Sequence, residues 1–142
     1  MKEPFLVKRV TWLKARATIE AIRLNVFIEE QGIDAEIEWD GLDEKAWHWL
    51  VLGPEKKGIA TARLLISGQI GRMAVEKKFR SQGIGSAILL DVLKRAKELK
   101  MTDVFLHSQH HATTFYEKFN FSSDDKRFLE ADIPHVKMYK RL

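Results

Sequence analysis

The stretch Arg80-Ser81-Gln82-Gly83-Ile84-Gly85 constrains the fold most, because of what lies on either side of it. Before it, Ile70-Gly71-Arg72-Met73-Ala74-Val75 reads as a strand. After it, Ile84, Ile88, Val92 and Ala96, with Leu89, Leu93 and Leu99 beside them, recur every three to four residues. That spacing gives one apolar face of a helix, with Asp91, Lys94, Arg95, Lys97 and Glu98 on the rest. A strand therefore runs through a loop with two glycines straight into a long helix. The start of such a helix offers unpaired backbone N–H groups and the positive end of a dipole, which together favour an anion. Gly83 and Gly85 let the backbone approach a ligand that a side chain would hold off. The pattern suits a pyrophosphate cradle; a purely structural helix start is the alternative.

The common nucleotide fingerprints do not fit. A dinucleotide-binding loop would place a third glycine where Ile88 stands, and a P-loop would follow Gly85 with Lys and Ser or Thr rather than Ser86-Ala87. The rest of the chain alternates short elements. Phe5 to Val10 reads as a first strand, and Ala15, Ile19, Ile22 and Val26 mark a helix from about Lys14 that stops near Glu30-Gln31-Gly32. Strands follow at Trp47–Leu52 and Ile59–Ile66, with a tight Ser67-Gly68 hairpin before Gln69–Val75. Beyond the long helix come a strand at Asp103–His107, a short helix at Thr113–Lys118, and two last strands near Ser122–Phe128 and His135–Lys140. This order predicts one α+β domain over residues 1–142: a mixed, mostly antiparallel central sheet of six or seven strands with helices on both faces. The strand at Met73 and the strand at Phe105 should run parallel, joined by the long helix.

Charge is unevenly placed. Eight acids (Glu29, Glu30, Asp34, Glu36, Glu38, Asp40, Asp43 and Glu44) fall in one stretch with no Lys or Arg, although the chain as a whole carries +4. The stretch is read either as a surface for a cationic ligand or as a solvated acidic loop. There is no cysteine, which excludes disulfides, thiolate metal sites and a cysteine nucleophile. His107, His110 and His111 lack an accompanying carboxylate triad, so no metal is expected. No apolar run reaches the roughly 20 residues of a membrane span, and no signal-peptide core opens the chain, so a cytoplasmic location is the default. Nucleic-acid binding is disfavoured by the acidic stretch and by the lack of a basic recognition helix.

Arg80-x-x-Gly83-x-Gly85 resembles the R/Q-x-x-G-x-G/A motif of the GNAT superfamily of N-acetyltransferases. Phe115-Tyr116-Glu117-Lys118-Phe119-Asn120-Phe121 resembles that superfamily's F-Y-E-K-x-G-F segment, with Asn120 in the glycine position. Val26-Phe27-x-x-Glu30-Gln31, Asp40, Asp43, His48 and Ile133-Pro134-His135 are similar to the ElaA-like branch. The resemblance implies the GNAT acyl-CoA N-acyltransferase fold and acetyl-coenzyme A as donor. It implies a pyrophosphate held by the backbone of Gln82 to Ser86, with charge from Arg80, and a pantetheine arm paired with Met73, Ala74 and Val75. Tyr116 matches the position of a general acid.

With no cysteine, the simplest chemistry is direct attack of an amine on the thioester, without an acyl-enzyme. An alkylamine of pKa near 10.4 is only about 1 part in 2,500 free at pH 7, a deficit of roughly 4.6 kcal/mol. Removing that proton is the larger task. Glu30, Glu38, Asp40 and His135 are the candidates for that base or for binding the acceptor. The expected acceptor is a small-molecule or peptide amine, with homodimer formation left open. The other reading is a coenzyme A-binding sensor or an inactive module of the same fold.

Overall fold

The computed structural model describes residues 4–142. Seven strands form one sheet in the order β1-β2-β3-β4-β5-β7-β6. In chain order they are β1 (Leu6–Val10), β2 (Trp47–Leu52), β3 (Gly58–Leu64), β4 (Gln69–Val75), β5 (Asp103–Gln109), β6 (Ser122–Glu130) and β7 (Ile133–Arg141). All neighbours are antiparallel except β4 and β5, which run parallel as the long-helix connection predicts. The last hairpin does not simply extend the sheet: β7 inserts between β5 and β6.

Helices α1 (Trp12–Arg23) and α3 (Ile84–Glu98) cover opposite faces. Alternation along the strands sorts the core between them. Trp49 and Val51 pack with Ile84, Ile88, Leu89 and Val92 of α3, whereas Leu50 and Ala74 pack with Ala15, Ile19 and Ile22 of α1. α1 starts at Trp12, two residues earlier than its apolar spacing suggests, because the Thr11 hydroxyl caps it by accepting from the Lys14 N–H at 3.4 Å. It then widens into seven residues of π-helix, Leu24–Glu30, before Gln31. Two short helices complete the set, α2 (Ala35–Glu38) and α4 (Thr113–Glu117). Asn120 takes a left-handed φ of 66° after α4, the conformation for which its position usually carries glycine.

The parallel pair positions the site. β4 and β5 are in register only at Gln69 with Phe105 and Ile70 with Leu106. Beyond that, β5 stays with β7 as far as Gln109 opposite His135. β4 instead follows β3 through a bulge, since Thr61 faces Ala74 while Arg63 faces Gly71. Arg72 and Met73 together stand opposite Ala62, with Arg72 at a φ of 48°. A bulge bends a strand and increases its twist. The two parallel strands therefore splay at their carboxyl ends, leaving the β5-facing edge of Met73, Ala74 and Val75 without a strand partner among the described residues.

Candidate functional site

The splay opens a cavity of about 240 Å³. Its lining includes Glu38 and Arg72, which contact each other, the trio His107, Glu130 and His135, and Met73, Leu106 and Tyr116. Of the four candidate bases, Glu38 and His135 line the cavity, whereas Glu30 and Asp40 do not.

Glu38 is 3% exposed. Arg72 Nε lies 3.1 Å from its Oε1, yet the direction is wrong for a hydrogen bond and that oxygen has no partner. Arg72 directs its donors instead to the Glu38 and Ile37 carbonyls and to Asp40 Oδ2. Burial pushes the Glu38 carboxyl up to about 7, against the pull of Arg72, Arg23 and Arg63. A buried carboxyl raised toward neutrality, on a residue that lines the cavity, has the properties of a general base.

The other acids are committed to arginines. Asp43 accepts from both terminal nitrogens of Arg23 at 3.0 Å and from Arg63 at 3.1 Å. Its backbone carbonyl accepts from His48 Nε2 at 2.8 Å. Asp40 takes a two-point contact from Arg63 at 2.8 and 2.9 Å. Partial burial would raise the Asp40 carboxyl, but those bonds and the Leu42 N–H hold it down to about 2. The solvated-loop reading of the acidic stretch is thereby corrected for Glu38 and Asp43, which are buried, and the cation-surface reading for Asp40 and Asp43, whose charges are matched by arginines. These acids turn inward onto Arg23, Arg63 and Arg72, an arrangement a linear charge count cannot reveal because the three arginines lie on distant elements.

Glu30 ends the π-helix and forms a two-point pair with Arg80 at 2.6 and 2.7 Å. Hydrogen bonds from Arg80 hold the Glu30 carboxyl below its ordinary range. Arg80 also donates Nε to the Val75 carbonyl at 2.9 Å, so its guanidinium ties three elements together at the lip of the loop. In that loop Ser81 and Gly83 take left-handed φ values of 64° and 84°. No side chain caps α3, and its first intrahelical bond from this loop runs from the Ala87 N–H to the Gly83 carbonyl. The N–H groups of Ile84, Gly85 and Ser86 thus face outward as the helix start, open to an anion. A Cβ on Gly85 would lie 3.6 Å from the Phe115 ring. Phe115 stands edge-on to Tyr116 at 5.0 Å, which links the loop to the cavity.

Tyr116 is sandwiched against Phe115 and Phe121, and among the described residues no hydrogen bond occupies its hydroxyl. Burial raises the phenol to about 12, so it remains a proton donor at neutral pH. Glu130 and His107 were not reached from sequence as cavity residues. Glu130 sits at the β6–β7 turn and reaches back to His107 on β5, and neither spacing nor composition signals a contact across an inserted strand. Among the described residues no cluster of His, Asp or Glu could hold a metal, and no helix is long and apolar enough to cross a membrane.

A family model described as "Acetyltransferase (GNAT) domain" matches residues 17–142. YjcF of Bacillus subtilis, by name an uncharacterised N-acetyltransferase, is 34% identical over 84% of this chain and 87% of its own. An acyl-CoA N-acyltransferase from Pseudomonas aeruginosa superposes with a TM-score of 0.84 at 29% identity, over 98% of this chain and 99% of its own. Escherichia coli ElaA shares the fold with a TM-score of 0.86 at 23% identity, over 96% and 99%.

Proposed function

The chain belongs to the GNAT acetyltransferase family, and on that premise we propose that it moves an acetyl group from acetyl-coenzyme A to an amine by direct attack on the thioester. The observation that carries this reading is one cavity lined by both a buried carboxyl, Glu38, and an unbonded phenol, Tyr116. The unpartnered edge of Met73–Val75 and the uncapped start of α3 fit the donor. The backbone from Gln82 to Ser86 would hold its pyrophosphate, and the β4 edge would pair with the pantetheine amides. When bound, acetyl-coenzyme A supplies an acetyl thioester with a thiolate leaving group.

The protein's residues then divide the proton work. Glu38 takes the proton of the acceptor ammonium, which leaves a neutral nitrogen able to form the new C–N bond as the C–S bond breaks. Tyr116 gives a proton to the departing sulfur, and the nitrogen's second proton, shed as the amide forms, restores the Tyr116 hydroxyl. Arg72 keeps Glu38 in place through the backbone of α2, and its charge offsets part of the cost of ionising it. Arg80 and Glu30 brace the loop rather than take part in proton transfer, and Asp40, held near pKa 2, is too weak a base to serve.

The test is release of coenzyme A thiol from acetyl-coenzyme A across a panel of small amines and amino-terminal peptides. Release that depends on the amine supports the reading. Donor binding with no turnover on any amine would support a coenzyme A sensor instead.

A further inference from the structure

Where Glu130 and His135 line it, the cavity holds a gap between two acceptors. His135 is 6% exposed, and its Nδ1 stands 2.7 Å from the Ile133 carbonyl, a contact only an N–H can make. In the uncharged ring, Nε2 therefore carries a lone pair. It lies 3.7 Å from Glu130 Oε2, too far for a hydrogen bond, and the other Glu130 oxygen is bonded to His107 Nδ1 at 2.9 Å. A lone pair facing a carboxylate oxygen leaves room for a donor that serves both. An ammonium, with three N–H groups and a positive charge, is such a donor.

Charge balance across the cavity points the same way. Glu38, Asp40 and Asp43 are matched by Arg23, Arg63 and Arg72. Glu130 has no arginine within ion-pair distance: it contacts His107, and its carboxyl is held below its ordinary range first by the His107 hydrogen bond and then by the charges of His107, His135 and Arg72. The cavity thus has, besides Glu38, an ionised carboxylate with a hydrogen-bond-free histidine nitrogen 3.7 Å from it.

We propose, resting on the cavity being the acetyl-acceptor site, that the acceptor is a diamine. One amino group reacts beside Glu38 and Tyr116 while the other sits as an ammonium between Glu130 Oε2 and His135 Nε2. A lone amine captured at Glu130 stays protonated there, whereas a second amino group on the same chain is left free to reach Glu38. Glu130 and His135 are on this account specificity residues.

The protein saturated with coenzyme A is titrated calorimetrically with putrescine and with n-butylamine, its equivalent lacking one amino group. Putrescine is expected to bind at least about tenfold more tightly, and Glu130→Gln to reduce that preference to within about threefold. Glu130 is partly exposed at a turn, so the substitution leaves the core untouched. Equal affinity in the unaltered protein, or a preference that survives Glu130→Gln, overturns the proposal; an imidazolium at His135 filling the gap by itself predicts that outcome. Preferential binding of the diamine without acetylation would keep the subsite and refute the transfer reading. Equal binding and equal acetylation of both amines would do the reverse.

Discussion

Arg72 lies 3.1 Å from Glu38 Oε1 but spends its hydrogen bonds on the backbone of α2 and on Asp40. Glu38 is therefore buried beside a cation without being fully satisfied by it. Such a group destabilises the fold when it ionises, and its retention in a cavity suits a proton acceptor better than a structural ion pair.

That relationship has a signed consequence for stability. The folded carboxyl titrates near 7 and the unfolded one near its ordinary value of 4.5. Below about pH 4 it is neutral in both states and costs nothing. As pH rises from 4.5 to 7 the unfolded chain loses its proton first, so stability falls, and the deficit is complete above 7. Glu38→Gln should raise the melting temperature at pH 8 by several degrees, corresponding to about 1–3 kcal/mol, and leave it nearly unchanged at pH 4. Thermal unfolding at the two pH values checks this; a loss of stability at pH 8 would show that the charge is fully compensated.

Arg23 is fully buried and holds both oxygens of Asp43. Removing one member of a buried pair leaves an uncompensated charge. Arg23→Met should cost about 3 kcal/mol and lower the melting temperature by roughly 6–12 °C. An unchanged melting temperature would mean that Arg63 alone satisfies Asp43.

Gly83 begins α3 at a φ of 84°, where a β-branched residue is strained. Gly83→Val should weaken coenzyme A binding at least about tenfold while the circular dichroism spectrum stays native, because the strain falls on a surface loop. Unaltered affinity by calorimetry would remove this loop from donor binding.

Tyr116 is expected to assist only the leaving thiolate, whose pKa of about 8.5 makes it a modest task. Tyr116→Phe should lower kcat about tenfold to a hundredfold with little change in the dissociation constant of the donor. A kcat within twofold of the unaltered protein would reduce Tyr116 to a packing residue.

Much of the architecture was readable because it rests on local pattern. The apolar stripe from Ile84 to Ala96 is the buried face of α3, and alternation in Trp47–Leu52 sorts one residue to each helix layer. Strand limits were less legible: β7 begins at Ile133 rather than His135, and β3 ends at Leu64 rather than Ile66, because pairing partners set ends that composition does not. At the site, the loop glycines and Tyr116 carried local signatures. The distinction among acids did not. Glu30, Glu38 and Asp40 look alike in sequence, yet Arg80, Arg72 and Arg63 give them different environments, and only the fold brings those arginines near. Glu130 reached His107 across an inserted strand, which no spacing rule anticipates.

The most direct measurement is the pH dependence of kcat/KM for the acceptor amine with acetyl-coenzyme A saturating. If Glu38 takes the proton, kcat/KM rises to near pH 7, where Glu38 titrates, and then stays level until the amine itself deprotonates near pH 10. Glu38→Gln should lower the plateau about a hundredfold and replace it with a slope. A unit-slope rise in the unaltered protein that continues to the pKa of the amine, with no break near 7, would contradict the account.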